Sequence, residues 1–358
     1  MLKKYGLEKL IKKGFNEENC GFLARITAQH NKIYSVICSS GEKSARVSGR
    51  FIHESKKISN FPVVGDWVIL REGSEDQVIE SIVPRINQIS RSAAGKRYSR
   101  DEISEEQVIA ANVDNVFIVS ALDRDFNLRR IERYLTLSYN SGAKPFIILN
   151  KEDLCDDIES YITEIESIAF GVPVIPVSAV NQESLSELYD HLISGETSVL
   201  VGSSGVGKST LINAFMGDNT QKVKDISSSV KKGVHTTTHR ELFLLENGSI
   251  LIDNPGMREL GLVDGNNSIK DVFREIEELG KNCKFNDCSH MDEPGCAVKF
   301  AISEGILSKE RFSSYLKLKS ELDYLKMKDS KSSEAIEKDK WKDIKKQIRR
   351  HYSGNRGK

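Results

Sequence analysis

The chain has 358 residues, 39% hydrophobic and 29% charged, with 52 basic side chains against 52 acidic ones and a formal net charge of zero. This length suggests two or three domains able to bury real cores. The zero balance excludes attraction to nucleic acid by total charge, and no apolar run reaches the length of a membrane span.

Met1 to Leu10 alternates charged and apolar residues and lacks a signal-peptide core. Of the six cysteines, Cys20, Cys38 and Cys155 are scattered, while Cys283, Cys288 and Cys296 cluster. That pattern argues for reduced, cytoplasmic thiols and one metal site rather than a disulfide framework. From about Gly21 to Pro84 the chain reads as all-β, with short runs such as Ile33–Cys38, Trp67–Leu70 and Gln77–Ile79 between turn signals. About five short strands suggest a small barrel, with an OB-fold leading and an SH3-like barrel as the alternative. Arg46, Arg50, Lys56, Lys57 and Arg71 give it a basic face suited to nucleic acid, or simply a solvated surface. A polar, basic connector follows, with Arg85, Arg91, Lys96, Arg97 and Arg100.

The periodicity then changes to alternating strands and helices. Val116–Leu122, Pro145–Leu149 and Val174–Val177 read as strands; Leu128–Leu135, Ile158–Ala169 and Leu185–Leu192 read as helices. The pattern predicts a parallel, doubly wound sheet. The next strand, Ser198–Val201, runs into Gly202-Ser203-Ser204-Gly205-Val206-Gly207-Lys208-Ser209-Thr210. Every position of the GxxxxGK[ST] phosphate loop is filled. Its glycines let backbone N–H groups curl around phosphate oxygens, and the helix that follows points its positive end at them. Lys208 would reach the β- and γ-phosphates, and Ser209 would coordinate Mg²⁺.

The base selector lies upstream. Asn150-Lys151-Glu152-Asp153 is an NKxD signature at the carboxyl end of the second strand. Its carboxylate can accept two hydrogen bonds from guanine, and adenine offers no matching pair of donors. Lys151 would lie over the purine, Asn150 would brace the neighbouring loop, and the backbone of Ser178-Ala179 would face the guanine carbonyl. Downstream, Lys231–His239 carries threonines, Thr237 among them, able to complete the Mg²⁺ shell. Leu251–Gly256 is a strand ending in DxPG: Asp253 would hold Mg²⁺ through water, and the Gly256 N–H would sense the γ-phosphate.

Cys283, Cys288, His290 and Cys296 offer three thiolates and one imidazole, enough for a closed, structural zinc site. Ile302–Leu325 reads as one amphipathic helix. Lys338 to Lys358 reads as a basic amphipathic tail of membrane-surface, calmodulin-like or RNA-binding type, and the OB-fold in the same chain favours RNA.

In sequence order the motifs run NKxD, SA, phosphate loop, threonine switch, DxPG. Ordinary small GTPases carry the same parts in rotated order. Together with the barrel and the Cys/His cluster, this arrangement resembles the ribosome small-subunit-dependent GTPase A (RsgA) family over essentially the whole chain. The resemblance implies a multidomain α/β protein with an OB-fold over residues 1–90, a circularly permuted P-loop GTPase domain over 91–264, and an α-helical zinc-binding domain over 265–358. It implies GTP/GDP with Mg²⁺ and one Zn²⁺ as ligands, a cytoplasmic monomer, and hydrolysis stimulated by the 30S subunit, with 16S rRNA as partner, late in small-subunit assembly. Asn254 departs from the Thr or Ser more frequent in the family. Met257 cannot orient water as a Ras-like glutamine does, and the position matching the family's catalytic histidine is His235. The alternative is a GTP-gated RNA-binding module whose hydrolysis is incidental.

Overall fold

The computed structural model describes residues 1–16, 22–30, 33–55, 57–71, 77–92, 106–123, 125–217, 240–254, 268–291 and 293–330. Five strands make the N-terminal barrel: β1 (Leu23–His30), β2 (Ile33–Cys38), β3 (Gly41–Val47), β4 (Trp67–Arg71) and β5 (Gln77–Ile82). Strands β1, β2 and β3 pair antiparallel, β3 runs parallel to β5, and β5 and β4 pair antiparallel; β4 then returns to β1. This circuit closes an OB-like barrel and removes its sheet edges. Ile26, Val36, Ala45, Val68 and Ile79 fill the interior with no exposed surface. Each buried Ile or Val contributes about 1.5–3 kcal/mol. At one end Leu2, Leu7 and Leu10 of the N-terminal helical turns pack on Leu23, Ile37 and Trp67.

Not every basic residue of the barrel and connector faces solvent freely. Arg85 chelates the fully buried Asp66, with Nε and Nη2 each 2.8 Å from a carboxylate oxygen. Arg50 faces Glu54, and Arg71 faces Glu80. The connector also starts as a strand: β6 (Gln88–Ser92) pairs with β7 (Glu106–Ala111) in a two-stranded sheet of its own.

The second unit is the doubly wound sheet. Strands β8 (Asn115–Ala121), β9 (Lys144–Asn150), β10 (Val174–Val177), β11 (Thr197–Val201) and β13 (Ile250–Asp253) are parallel. The antiparallel strand β12 (Arg240–Leu244) flanks β13. All of β8 and β11 is buried, because helices cover both faces of the sheet. Alternate residues serve different cores. Val116, Ile118 and Leu149 pack with Ile131 and Leu135 of helix Leu128–Ser141. Phe117, Val119 and Ile148 pack with Leu211, Ile212 and Phe215 of helix Lys208–Met216.

Barrel and doubly wound sheet are joined through the end of β1. Strand β1 pairs with β12 through Ala28↔Glu241 and Gln29↔Arg240, so the eleven strands β1–β5 and β8–β13 form one continuous sheet. Arg25 seals the junction. Its fully buried guanidinium donates to Gly65 O, Tyr5 O and Thr197 Oγ1, which belong to three different segments, and burial pushes its pKa down to about 10.

The C-terminal part is helical: Ser268–Val272, Arg274–Gly280, Ala297–Ser303 and Lys309–Ser330. The single helix expected over 302–325 is instead two helices. Gly305, with φ 73°, turns the chain after Ser303, a conformation that only glycine adopts without strain. The Ser308 hydroxyl then accepts from Arg311 N and starts the second helix. Among the described residues no helix is long and apolar enough to cross a membrane.

Candidate nucleotide site and metal centre

The phosphate loop leaves the carboxyl end of β11 and enters helix Lys208–Met216. Gly202 has no room for a side chain, because a Cβ there would run into the Val119 carbonyl. Gly207 (φ 96°) is a helix N-cap in the left-handed region, and a Cβ there would strike the Asn150 amide. Ser204, Gly205, Ser209 and Thr210 are exposed, while Val206 is buried as the anchor of the loop. Lys208 turns back into the loop, donating to Gly202 O at 2.9 Å and to Ser203 O at 2.5 Å. Burial lowers its pKa, and the carboxylates of Asp253 and Asp125 pull it back up.

Three strand ends converge on this loop. Asn150, buried at the end of β9, donates to Val206 O at 2.8 Å and accepts from Ala179 N at 3.0 Å. One side chain thus joins the NKxD segment, the Ser178-Ala179 segment and the phosphate loop. Asp153 is exposed, and its Oδ1 accepts from Ser178 Oγ at 2.5 Å, which fixes the carboxylate at the mouth of the site. Lys151 holds a left-handed backbone (φ 66°) and pairs with Asp123 at 2.7 Å. Backbone strain of this kind concentrates where a side chain must be aimed. Glu152 follows, half-buried in a short 3-10 turn.

Asp253 ends β13 beside Lys208. Its Oδ1 is buried without a hydrogen-bond partner, and burial raises the pKa of the carboxyl while Lys208 lowers it. An orphaned carboxylate oxygen is costly by itself; next to the loop lysine it fits a water ligand of Mg²⁺. The neighbouring Asn254 accepts from Arg240 Nε at 3.2 Å, tying the end of β13 to the start of β12. His235, Thr237 and Gly256 lie outside the described residues, as do Lys56, Lys96, Arg97, Arg100 and the basic tail.

Two residues near the loop were not singled out from the sequence. Asp123 follows the carboxyl end of β8, where a short acidic residue beside an NKxD strand is a legible signal. Arg130 donates to Ser203 Oγ of the phosphate loop and to Asp125 at 2.7 Å; its mark in the sequence is a basic residue in the first turn of a helix.

In the C-terminal part the ligand atoms of Cys283, Cys288, His290 and Cys296 all lie within 4.8 Å of one another. His290 Nδ1 is 3.6 Å from Cys283 Sγ and 3.4 Å from Cys296 Sγ, and those two sulfurs are 3.9 Å apart. Tetrahedral zinc with bonds of about 2.3 Å to sulfur sets such corners about 3.8 Å apart, so the set fits that ion. Burial, with Lys319 adding to it, lowers the pKa of the His290 imidazole and keeps the ring neutral, as a ligand must be. The five cysteines among the described residues are free of disulfides.

A phosphate loop at the carboxyl end of a doubly wound sheet, with its base selector earlier in the chain, defines a circularly permuted P-loop GTPase. The RsgA GTPase family model matches residues 82–263. The small ribosomal subunit biogenesis GTPase RsgA 2 of Lactiplantibacillus plantarum is 43% identical over 322 residues, spanning 90% of this chain and 89% of its own. RsgA 1 of Listeria innocua is 42% identical over 98% of both chains. Among solved structures, YjeQ from Thermotoga maritima superposes with a TM-score of 0.58 at 26% identity, covering 84% of this chain and 98% of its own. YloQ, described as a circularly permuted GTPase, gives 0.56 at 26% identity, covering 84% and 94%. The chain belongs to the RsgA GTPase family.

Proposed function

We propose that this GTPase hydrolyses GTP in small ribosomal subunit biogenesis, the role named for its relatives, and that the 30S subunit with its 16S rRNA stimulates turnover. The observation that carries the reading is Asn150, bonded to both Val206 and Ala179. It holds the base-reading and phosphate-reading parts at a fixed separation, as one nucleotide requires.

In this reading Asp153 accepts from guanine, Lys151 leaves Asp123 to cover the base, and the Ser178-Ala179 backbone faces the guanine carbonyl. The phosphate loop from Gly202 to Thr210 wraps the phosphates, with Lys208 leaving its two carbonyls for phosphate oxygens. Ser209, Thr237 and, through water, Asp253 would hold Mg²⁺, which would offset the negative charge of the phosphates. The Gly256 N–H senses the γ-phosphate, and His235 positions the attacking water. Cys283, Cys288, His290 and Cys296 hold a structural zinc. All four positions are filled by protein, so this ion supplies folding energy rather than chemistry. We divide the chain at 1–90, 91–264 and 265–358, and place it in the cytoplasm as a monomer.

The test is GTP turnover with and without purified small subunits, for wild type and His235→Ala. Stimulated turnover that depends on His235 is expected. Turnover indifferent to the subunit removes the ribosomal part. Full stimulation of His235→Ala moves the water-positioning role elsewhere.

A further inference from the structure

Helix Leu128–Ser141 begins with the wrong charge for its own dipole. Its first turn holds Arg129 and Arg130 and no acidic residue, whereas the N-terminal end of a helix carries partial positive charge and favours anions. A local rule broken in this way points to a function that repays it. Arg130 sends its guanidinium to the phosphate loop, where Nη1 donates to Ser203 Oγ and also to Asp125 Oδ2 at 2.7 Å. Lys208 converges on the same residue, donating to the Ser203 carbonyl at 2.5 Å.

Two cations therefore meet at one residue of a loop built to take an anion. Asp125 answers both of them, since its charge also acts on Lys208. The Arg130–Asp125 pair is not a buried clamp, because the two side chains are 38% and 37% exposed. An ion pair this open to water contributes little to stability, and its guanidinium has room to turn. A planar guanidinium also matches phosphate oxygens two at a time, which an ammonium does not.

We propose that Arg130 is a second phosphate-binding cation, exchanging Asp125 for the terminal phosphate of GTP and so setting the preference for GTP over GDP. The inference rests on the nucleotide lying along the phosphate loop as described above. It adds a recognition residue from outside the five motifs, on a helix that also carries Glu132 and Arg133 to the C-terminal part. The state of the γ-phosphate is thereby placed one helical turn from the contacts that hold the zinc-bearing unit.

The experiment measures Kd for GDP and for a non-hydrolysable GTP analogue, both with Mg²⁺, in wild type and in R130A, R130K, D125N and R133A. Loss of a charge-assisted contact to the γ-phosphate should weaken the analogue about tenfold in R130A and leave GDP within about twofold. R130K should recover part of the loss, and D125N should bind the analogue at least as tightly as wild type. R133A, altered on the same helix but paired with Glu321, should keep the wild-type ratio. Equal weakening of both nucleotides in R130A would overturn the proposal. So would a D125N that behaves like R130A, because the pair would then be a structural staple. If R130A does not fold, the GTP-to-GDP ratios of R130K and D125N decide in the same sense. A wild type that binds neither nucleotide would instead remove the underlying reading of the site.

Discussion

The Asn150 side-chain amide donates to the Val206 carbonyl at 2.8 Å, so the base-selecting strand and the phosphate loop are bonded directly, 56 residues apart in sequence. In a permuted chain these two motifs occur in reversed order. A through-space bond of this kind, and not chain order, fixes their separation.

Removing that bond should therefore cost affinity for every guanine nucleotide. Asn150→Ala leaves the buried Val206 carbonyl and the Ala179 N–H without their partner, a loss of about 1–3 kcal/mol for each unsatisfied group. Binding of GDP and of a GTP analogue, followed by fluorescence titration, should weaken together by about tenfold or more. Unchanged affinity would mean that the loop holds its shape without Asn150.

Asp153 should carry the choice of base. Its carboxylate is already oriented by Ser178 Oγ at 2.5 Å, so binding spends little on ordering it. Asp153→Asn replaces one acceptor oxygen with a donor that opposes a guanine N–H. GDP affinity should fall about a hundredfold, while the affinity for ADP, weak at the start, stays where it was. Equal preference for the two bases in the wild type would dispose of this assignment.

Much of the site was legible in the sequence because its chemistry is local. Gly202, Gly207 and Lys208 occur at fixed offsets in one loop, and the strand runs around Val116, Phe146 and Val199 are apolar for reasons that sequence displays. What escaped depends on contacts between distant segments. The pairing of β1 with β12 joins two segments that carry no mark of each other. Arg85 reads as a connector charge until Asp66 is seen beneath it. Gly305 and Ser308 did carry a break-and-cap signal, which the apolar periodicity of 302–325 concealed.

Mg²⁺-supported nucleotide binding should be lost toward acid sooner than an exposed aspartate would allow. Burial disfavours the charged form of Asp253 and raises its pKa, against the pull of Lys208. A proton thus competes with the metal at a higher pH than the ordinary aspartate value of about 3.9. Magnesium titrations of GDP binding, carried from neutral toward acid pH, should show affinity rising with pH. In Asp253→Asn the slope should flatten at a weaker plateau. An identical slope in that variant would assign the titration to another group.

Zinc should hold the C-terminal helices in place. The Cys296 sulfur not only belongs to the ligand set but also accepts from Lys299 N at the start of helix Ala297–Ser303. Purified protein should contain about one equivalent of zinc, and strong chelation should lower the melting temperature of the C-terminal part while GDP binding at the phosphate loop persists. A metal-free protein with unchanged melting would refute the structural role.

Arg311 is 8% exposed, and its Nη1 lies 2.6 Å from Glu132 Oε1 on the GTPase helix; its Nε meets Glu275 at 2.7 Å, and its guanidinium lies over Phe273. Glu132 and Arg311 are both out of water, so breaking their pair from one side strands the other. Glu132→Leu or Arg311→Met alone should destabilise by about 3–5 kcal/mol. The double variant Glu132→Leu with Arg311→Met strands neither charge of the pair and should recover a large part of that loss, an interaction of about 1–3 kcal/mol in a double-mutant cycle. Urea denaturation, read by fluorescence with GDP bound, measures it. If the single variants cost as little as a surface ion pair, below about 1 kcal/mol, the C-terminal unit is held by its apolar contacts instead, with Phe273 and Tyr315 at their centre. Near-additive losses would lead to the same conclusion, since charges that do not depend on each other cannot be the lock between two units.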